Sequence, residues 1–321
     1  MSAVGADRRP RAWVLLLAIG VLSTGLAAGV WKHAGIDVAT FCVLFVIGKT
    51  VVSAGFWPAR GRHGAGVSGR FLAFAALAAL LNGLAWVTYL FAFERGPLAI
   101  VQTISAGYSA VATVLAVVFL RERILGAQAA GVALVVVASM VLGYAAEGPS
   151  AGPRGGWLPT SVASALLWGA NAVVAKYAYG LPGADQPRFL AIHGLGLAAT
   201  VLPYGVWLSA GCADGARPAR VVLPALLVVL LYLAGDLAVY GAMARGPASI
   251  VHPIFGLYAI PSIAYAALVI GDRIGALEWS AIAVASAGVV LALPAADNPL
   301  IRLLARYRPR KERPTSTGAE Q

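Results

Sequence analysis

Charge is scarce in this sequence. Only 12% of its 321 residues are Asp, Glu, Lys or Arg, where an ordinary soluble domain carries roughly 25%. Hydrophobic residues make up 60%, and the mean hydropathy is +0.81. So few charges cannot coat a soluble particle of this size, which excludes a soluble two-domain enzyme. Cysteine is nearly absent: Cys42 lies in an apolar run and Cys212 in a connection, and two thiols so placed build no disulfide framework. The four histidines, at 33, 63, 193 and 252, show no HxxxH or HExxH spacing, so no metal site is expected. There is no Walker sequence for ATP, and Ala59–Gly66 (ARGRHGAG) is a basic connection with no lysine motif behind it. No cofactor is expected.

Long apolar runs dominate instead. A helix needs about 20 apolar residues to cross a hydrocarbon core roughly 30 Å thick. Runs bounded by charge, Gly and Pro cover 12–31, 37–57, 71–92, 97–120, 125–145, 157–178, 188–208, 221–243, 247–270 and 275–295. They are too long for strands and lack period-two alternation. The expected fold is therefore all-α and integral to a membrane, with ten transmembrane helices and no room for a folded soluble domain. The first run imitates a signal peptide, even one with a twin arginine, but it is longer than the usual apolar segment and is read as a retained helix.

The net charge is +11, and its location argues against nucleic acid. Arg8, Arg9 and Arg11 precede the first run, in a tail over 1–11. Arg302, Arg306, Arg308, Arg310, Lys311 and Arg313 follow the last, in a polar tail over 302–321 expected to be disordered. Basic clusters beside membrane helices fix orientation and touch anionic lipid. An even number of spans puts both tails on one side, and the positive-inside rule makes that side the cytoplasm. The loops do not discriminate: on this topology seven basic residues face the cytoplasm and six the opposite side.

An internal repeat organises the chain. Arg95–Tyr108 reads RGPLAIVQTISAGY and Arg245–Tyr258 reads RGPASIVHPIFGLY, identical at seven of 14 positions without a gap. The same offset of 150 aligns Glu122-Arg123-Ile124 with Asp272-Arg273-Ile274, and an offset of 144 aligns Gly25 with Gly169 and Lys32 with Lys176. The halves are then 12–145 and 157–295, with five helices each. An odd number of spans forces the second copy to thread the bilayer upside down. The expected arrangement is two inverted five-helix repeats related by a pseudo-two-fold axis in the membrane plane.

At these repeats the chain resembles the drug/metabolite transporter superfamily, specifically its EamA-type proteins. An acidic residue closes the fourth helix of each half, in Phe119–Gly131 (FLRERILGAQAAG) and Val269–Ala281 (VIGDRIGALEWSA). The segment Leu166–Ala178 (LLWGANAVVAKYA) looks like that family's repeat-opening helix, whereas its counterpart Leu22–Ala34 lacks the Trp-Gly and the Asn. The resemblance covers nearly the whole chain. It implies transport of a small molecule and leaves the cargo open, since the family moves amino acids, other metabolites, sugars and drugs.

Polar groups within hydrocarbon are costly, about 2.5–3.5 kcal/mol for a central Asp, Lys or Arg, and so mark candidate sites. Asp236 forms an i, i+4, i+8 stripe with Tyr232 and Tyr240 on the eighth helix; the repeat equivalents on the third are Asn82, Trp86 and Leu90. Asp236 is expected either to titrate or to bind a cationic group in a central cavity, with burial against hydroxyls or a lysine as the plainer reading. Lys49 lies at similar depth in the second helix, so pairing with Asp236 and snorkelling to the interface are both open. Gln102 and His252 are equivalent positions, as are Tyr108 and Tyr258, and Asn171 bonds a substrate or joins two helices. Lys32 and Lys176 close their own helices, where snorkelling and the macrodipole account for them.

The expected function is a secondary transporter of small metabolites, such as amino acids or drugs. It would be an exporter in the cell membrane, working by alternating access, with proton coupling through Asp236 open. The alternatives are a lipid-linked-sugar flippase, favoured by a cavity opening sideways to lipid, and a membrane-embedded enzyme or sensor, favoured by polar groups clustered at one membrane face. A cavity between the repeats favours the carrier. The oligomeric state is not readable from the sequence.

Overall fold

A computed structural model of the chain describes residues 10–56, 66–96, 101, 104–145, 156–210, 219–271 and 273–293. The basic tails, Cys212, Gln102, Asp272 and most of the Ala59–Gly66 connection lie outside the described residues. The described residues are helical with no strand. In order they form α1 (Pro10–Ala34), α2 (Val38–Phe56), α3 (Gly69–Arg95), α4 (Tyr108–Phe119), α5 (Gly126–Ala145), α6 (Trp157–Tyr179), α7 (Gln186–Ala210), α8 (Ala219–Arg245), α9 (Ala248–Phe255), α10 (Ala259–Tyr265) and α11 (Ala276–Ala292). Six helical stretches are long and apolar enough to cross a bilayer, the sixth being Ala248–Ile270, which contains α9 and α10. Four shorter apolar helices, including Ile104–Phe119, coincide with the remaining four expected spans. This is a multi-pass helical membrane protein.

The surface carries large apolar side chains: Leu268, Leu223 and Phe119 are 86%, 75% and 71% exposed. In water such a surface would aggregate; in a bilayer the lipid tails cover it. Between helices the residues are small. Hydrocarbon supplies no hydrophobic drive for helix association, so close backbone approach and dispersion hold the bundle together. A methyl group on Gly131 of α5 would lie 2.4 Å from the backbone of Ala292 in α11, and one on Gly25 of α1 would lie 2.2 Å from the carbonyl of Tyr258. Gly83, Gly169 and Gly235 sit equally close to their neighbours.

Helix ends are fastened by side chains, often at equivalent places in the two halves. Asp37 accepts from the amide of Thr40 to start α2, and Asp185 from the amide of Arg188 to start α7, each at 2.8 Å. Arg95 and Arg245 each donate to a carbonyl four residues back in the last turn of α3 and α8, at 3.4 and 2.7 Å. Such caps satisfy backbone groups that a helix terminus leaves open and complement its dipole. Arg121 and Gly271, 150 residues apart, both take left-handed conformations (φ 54° and 86°) where the fourth and ninth spans stop. Lys176 does not merely close its own helix: it donates to the carbonyls of Met243 and Gly246 at the end of α8, 2.7 Å each. Those carbonyls lack intrahelical partners, so a neighbouring ammonium is their natural donor.

The principal packing runs between the two halves of the chain. α1 lies along α8, and α6 along α3; α3 touches α7, and α8 touches α2; α1 contacts α10, and α6 contacts α4. α2 pairs with α7, α5 with α11 and α4 with α9.

The fourth and ninth spans are interrupted at equivalent places. In the fourth, helical residues 104–106 are separated from α4 by a turn at Gly107, whose amide bonds to Ile104 at 3.0 Å. In the ninth, a 3₁₀ turn at Gly256–Tyr258 joins α9 to α10, and a π turn at Ala266–Ile270 ends the span. Proline explains the second break. Pro261 clashes with the carbonyl four residues back, at Leu257, and the tighter turn relieves that clash. Pro253 likewise leaves the Ser249 carbonyl without its helical donor, and the Thr113 hydroxyl of α4 shares its proton between that carbonyl (3.3 Å) and the Ser109 carbonyl of its own helix (2.9 Å).

Gly131→Val tests the close packing of α5 on α11. It should cost about 1–3 kcal/mol by forcing the helices apart, read as a lowered unfolding temperature in detergent. Gly126→Ala, where an added methyl meets nothing within 4 Å, should leave that temperature unchanged.

Candidate functional site: a central aromatic cavity

A cavity of about 790 Å³ lies between the halves. It is lined from α1 by Thr24 and Trp31, from α3 by Asn82, Trp86, Tyr89 and Phe93, from α6 by Trp168 and Asn171, and from α8 by Tyr232, Asp236 and Tyr240. The interrupted spans contribute Tyr108, His252, Phe255 and Tyr258. The lining reaches the surface at Gly35, in the α1–α2 connection, and at Arg273, before α11, both exposed. The other end is closed. There Glu122, between α4 and α5, accepts from the amides of Ala248 and Ser249 (3.0 and 2.9 Å) and from the Ser249 hydroxyl (2.5 Å), capping α9. Lys176 holds the end of α8 beside it.

Nine of the eleven candidate residues named from the sequence line this one cavity: Asp236, Tyr232, Tyr240, Asn82, Trp86, His252, Tyr108, Tyr258 and Asn171. Lys49 stands behind it. Its ammonium bonds the Asp236 Oδ2, with the lysine side chain 3% exposed and the aspartate 25% exposed. Snorkelling of Lys49 is therefore replaced by an ion pair joining α2 to α8. Two charges taken out of water require each other, because an unpaired one in the interior is strongly destabilising. The eleventh candidate, Gln102, lies outside the described residues.

A second polar chain extends from the pair. The ammonium of Lys49 lies 6.0 Å from the Tyr240 ring centre. The Tyr240 hydroxyl meets His193 Nε2 at 3.0 Å and accepts from Asn171 Nδ2 at 3.3 Å. Thus His193 makes an internal hydrogen bond, as a lone membrane histidine is expected to. Asn171 Oδ1, the Tyr108 hydroxyl and His252 Nδ1 are buried polar atoms without a hydrogen-bond partner, and all three residues line the cavity. Buried polar atoms cost free energy unless paired. Their position in a cavity wall suits partners supplied by water or by a ligand.

Trp86, Tyr108, Tyr232, Tyr240 and Tyr258 of the aromatic wall were named from the sequence, whereas Trp31, Tyr89, Phe93, Trp168 and Phe255 were not. Trp86 packs edge-on to Tyr232 at 5.8 Å and to Trp168 at 5.5 Å, and Trp168 lies 5.4 Å from Tyr89. The i+8 equivalent expected on α3, Leu90, is instead fully buried against Phe41 and Phe45 of α2. Its repeat equivalent Tyr240, likewise eight residues from Tyr232, does line the cavity, so the two halves differ at this position. At 3.6 residues per turn, steps of seven and eleven stay within about 20° of the starting face. From Asn82 those steps reach Tyr89 and Phe93, a stripe legible in the sequence. Trp168 was signalled too: its equivalent at the 144-residue offset is Thr24, and both line the cavity.

The fold and this cavity define a class, that of helical membrane proteins with a chamber between two halves. Residues 156–293 match the family model described as the EamA-like transporter family. The second half thus carries that family's signature, and the resemblance to EamA-type proteins of the drug/metabolite transporter superfamily is borne out. A solved structure described as "Crystal structure of protein" is similar over 91% of this chain and 98% of its own, with a TM-score of 0.68 and 16% identity. At that identity the likeness shows a shared fold alone. No curated protein matches the chain in sequence.

A double-mutant cycle tests the pair. Asp236→Asn should destabilise by about 3–5 kcal/mol, since it strands the buried Lys49 ammonium, and Lys49→Met by less, since the Asp236 carboxylate is a quarter exposed to the cavity. The double variant should recover much of that loss in thermal unfolding. Additive effects would show that the two side chains do not support each other.

Proposed function

We propose that this protein is a secondary transporter of small molecules that works by alternating access, without ATP. The observation that carries the reading is the cavity: it lies between the halves, reaches the surface at one end and is lined by both members of several repeat-equivalent pairs. These include Thr24 and Trp168, Asn82 and Tyr232, Trp86 and Asp236, and Tyr108 and Tyr258. Transporters built from inverted repeats bind their cargo where the repeats meet, at helices that are interrupted in corresponding places. The breaks at Gly107 and at Gly256–Tyr258 fit that pattern. So does the packing, in which each of the principal helix contacts named above maps onto another, or onto itself, when the halves are exchanged.

The closed end suits a gate. The Glu122 carboxylate binds the start of α9, and so bridges the first half to the second. Rocking the halves to open this end would break that cap, while the open mouth at Gly35 and Arg273 narrowed. Glu122 and Asp272 are equivalent in the repeat, so the same device is proposed at either end in turn. Cytoplasmic termini would place the present mouth outside the cell, and outward transport follows the family resemblance.

Transport is tested by counterflow in proteoliposomes, screened over amino acids, nucleosides, sugars and cationic drugs. Uptake of a labelled compound against internal unlabelled compound, without ATP, is the expected result; folded protein inert towards every class would contradict it. The inverted threading is tested by single cysteines at Arg95 and Arg245 in a background lacking Cys42 and Cys212. A membrane-impermeant maleimide should reach the two from opposite sides.

A further inference from the structure

We propose that the cargo is a lipophilic amine, a molecule with one organic cation and an apolar or aromatic body. This rests on reading the cavity as the transport path. The ammonium would sit against the cavity face of Asp236, with the body between the aromatic rings.

Three features select that chemistry. First, the Lys49–Asp236 pair is one-sided: the carboxylate lines the cavity and is a quarter exposed, whereas the ammonium behind it is 3% exposed and does not line the cavity. A ligand therefore meets the negative end of the pair. Second, Asn171 is 4% exposed and its Oδ1 has no hydrogen-bond partner, though the residue lines the same cavity. Asn171 Nδ2 holds the hydroxyl of Tyr240, one turn beyond Asp236 on α8. One acceptor of a cavity-wall residue is thus left unfilled, and an ammonium group has several N–H donors. Third, the walls are ring faces and edges, which attract a cation through the aromatic quadrupole and accept an apolar body.

The placement of charge disfavours an anion. The indole N–H of Trp31 is committed to the Ile36 carbonyl at 2.7 Å, and that of Trp168 to Asn82 Oδ1 at 3.2 Å. The described cation in the lining is Arg273, at the exposed mouth, with Glu278 also in the lining. A carboxylate or phosphate moving inward would leave that cation and approach Asp236. The volume of about 790 Å³ lies in the range of pockets that enclose drug-sized ligands.

The test is a charge series on one scaffold: 2-phenylethylamine (cation), 2-phenylethanol (neutral), phenylalanine (zwitterion) and 3-phenylpropionate (anion). Each is titrated into the full chain in lipid nanodiscs, with calorimetry or tryptophan quenching as the readout. The amine should bind at least about tenfold more tightly than the other three, the scale of one charge-assisted contact. Asp236→Asn should reduce it to the level of the alcohol. Should that variant fail to fold, Lys49→Met/Asp236→Asn removes both charges together and should give the same loss. Preference for phenylalanine or phenylpropionate, equal affinity across the series, or no binding by any of the four would overturn the proposal. Counterflow separates the two readings. Amine binding without counterflow would sink transport and leave the ligand class standing; counterflow of phenylalanine or phenylpropionate with no amine binding would do the reverse.

Discussion

Hydrocarbon offers no hydrogen bonds, and this structure is organised around that fact. A backbone or side-chain polar group facing lipid costs several kcal/mol, so each one inside the bilayer needs a partner within the protein. Helices meet the demand along their length. At their ends and breaks the demand falls on side chains: Asp37 and Asp185 start helices, Arg95 and Arg245 finish them, and Thr113 serves the carbonyl that Pro253 leaves open. Lys176 and Glu122 act across helix boundaries in the same way. The costliest case, two charges at depth, is resolved by pairing Lys49 with Asp236.

That rule is relaxed at five described side chains, of which Tyr179 and His193 lie away from the cavity and three stand in its wall. Asn171, Tyr108 and His252 each keep a buried polar atom without a partner, and all three face the space between the halves. Among the spans that border it are the two whose helices are broken. A break frees backbone groups, and such groups are tolerated in a membrane only beside protein or a cavity that can serve them. Open polar atoms, interrupted spans and the aromatic wall therefore belong to one chamber, whose chemistry follows from its position rather than from any motif.

Much of this was legible in the sequence because the bilayer imposes one length on every crossing. The ten apolar runs correspond to the ten helical stretches, and the 150-residue offset foretold that Tyr108 and Tyr258 would occupy matching places. Depth counting brought Lys49 and Asp236 to the same level, but side-chain direction decides between a pair and a snorkelling lysine, and a run of apolar letters does not encode it. Leu90 is buried outside the cavity although its equivalent Tyr240 lines it, a difference between the halves that the repeat pattern does not encode. The 3₁₀ turn of the ninth span depends on how Pro261 settles against its neighbours, which a single proline in a sequence does not specify. Cross-half contacts such as Lys176 on α8 needed the packing itself.

The account turns on the halves moving against each other about the Lys49–Asp236 level. Paired spin labels measure this directly in lipid nanodiscs, one pair across the mouth at Gly35 and Arg273 and one across the closed end at Arg123 and Arg245, all exposed positions. The account predicts two distance populations for each pair, linked in opposite senses, so that conditions shortening the mouth distance lengthen the other. A single fixed distance at both ends, or both distances changing in the same sense, would contradict it.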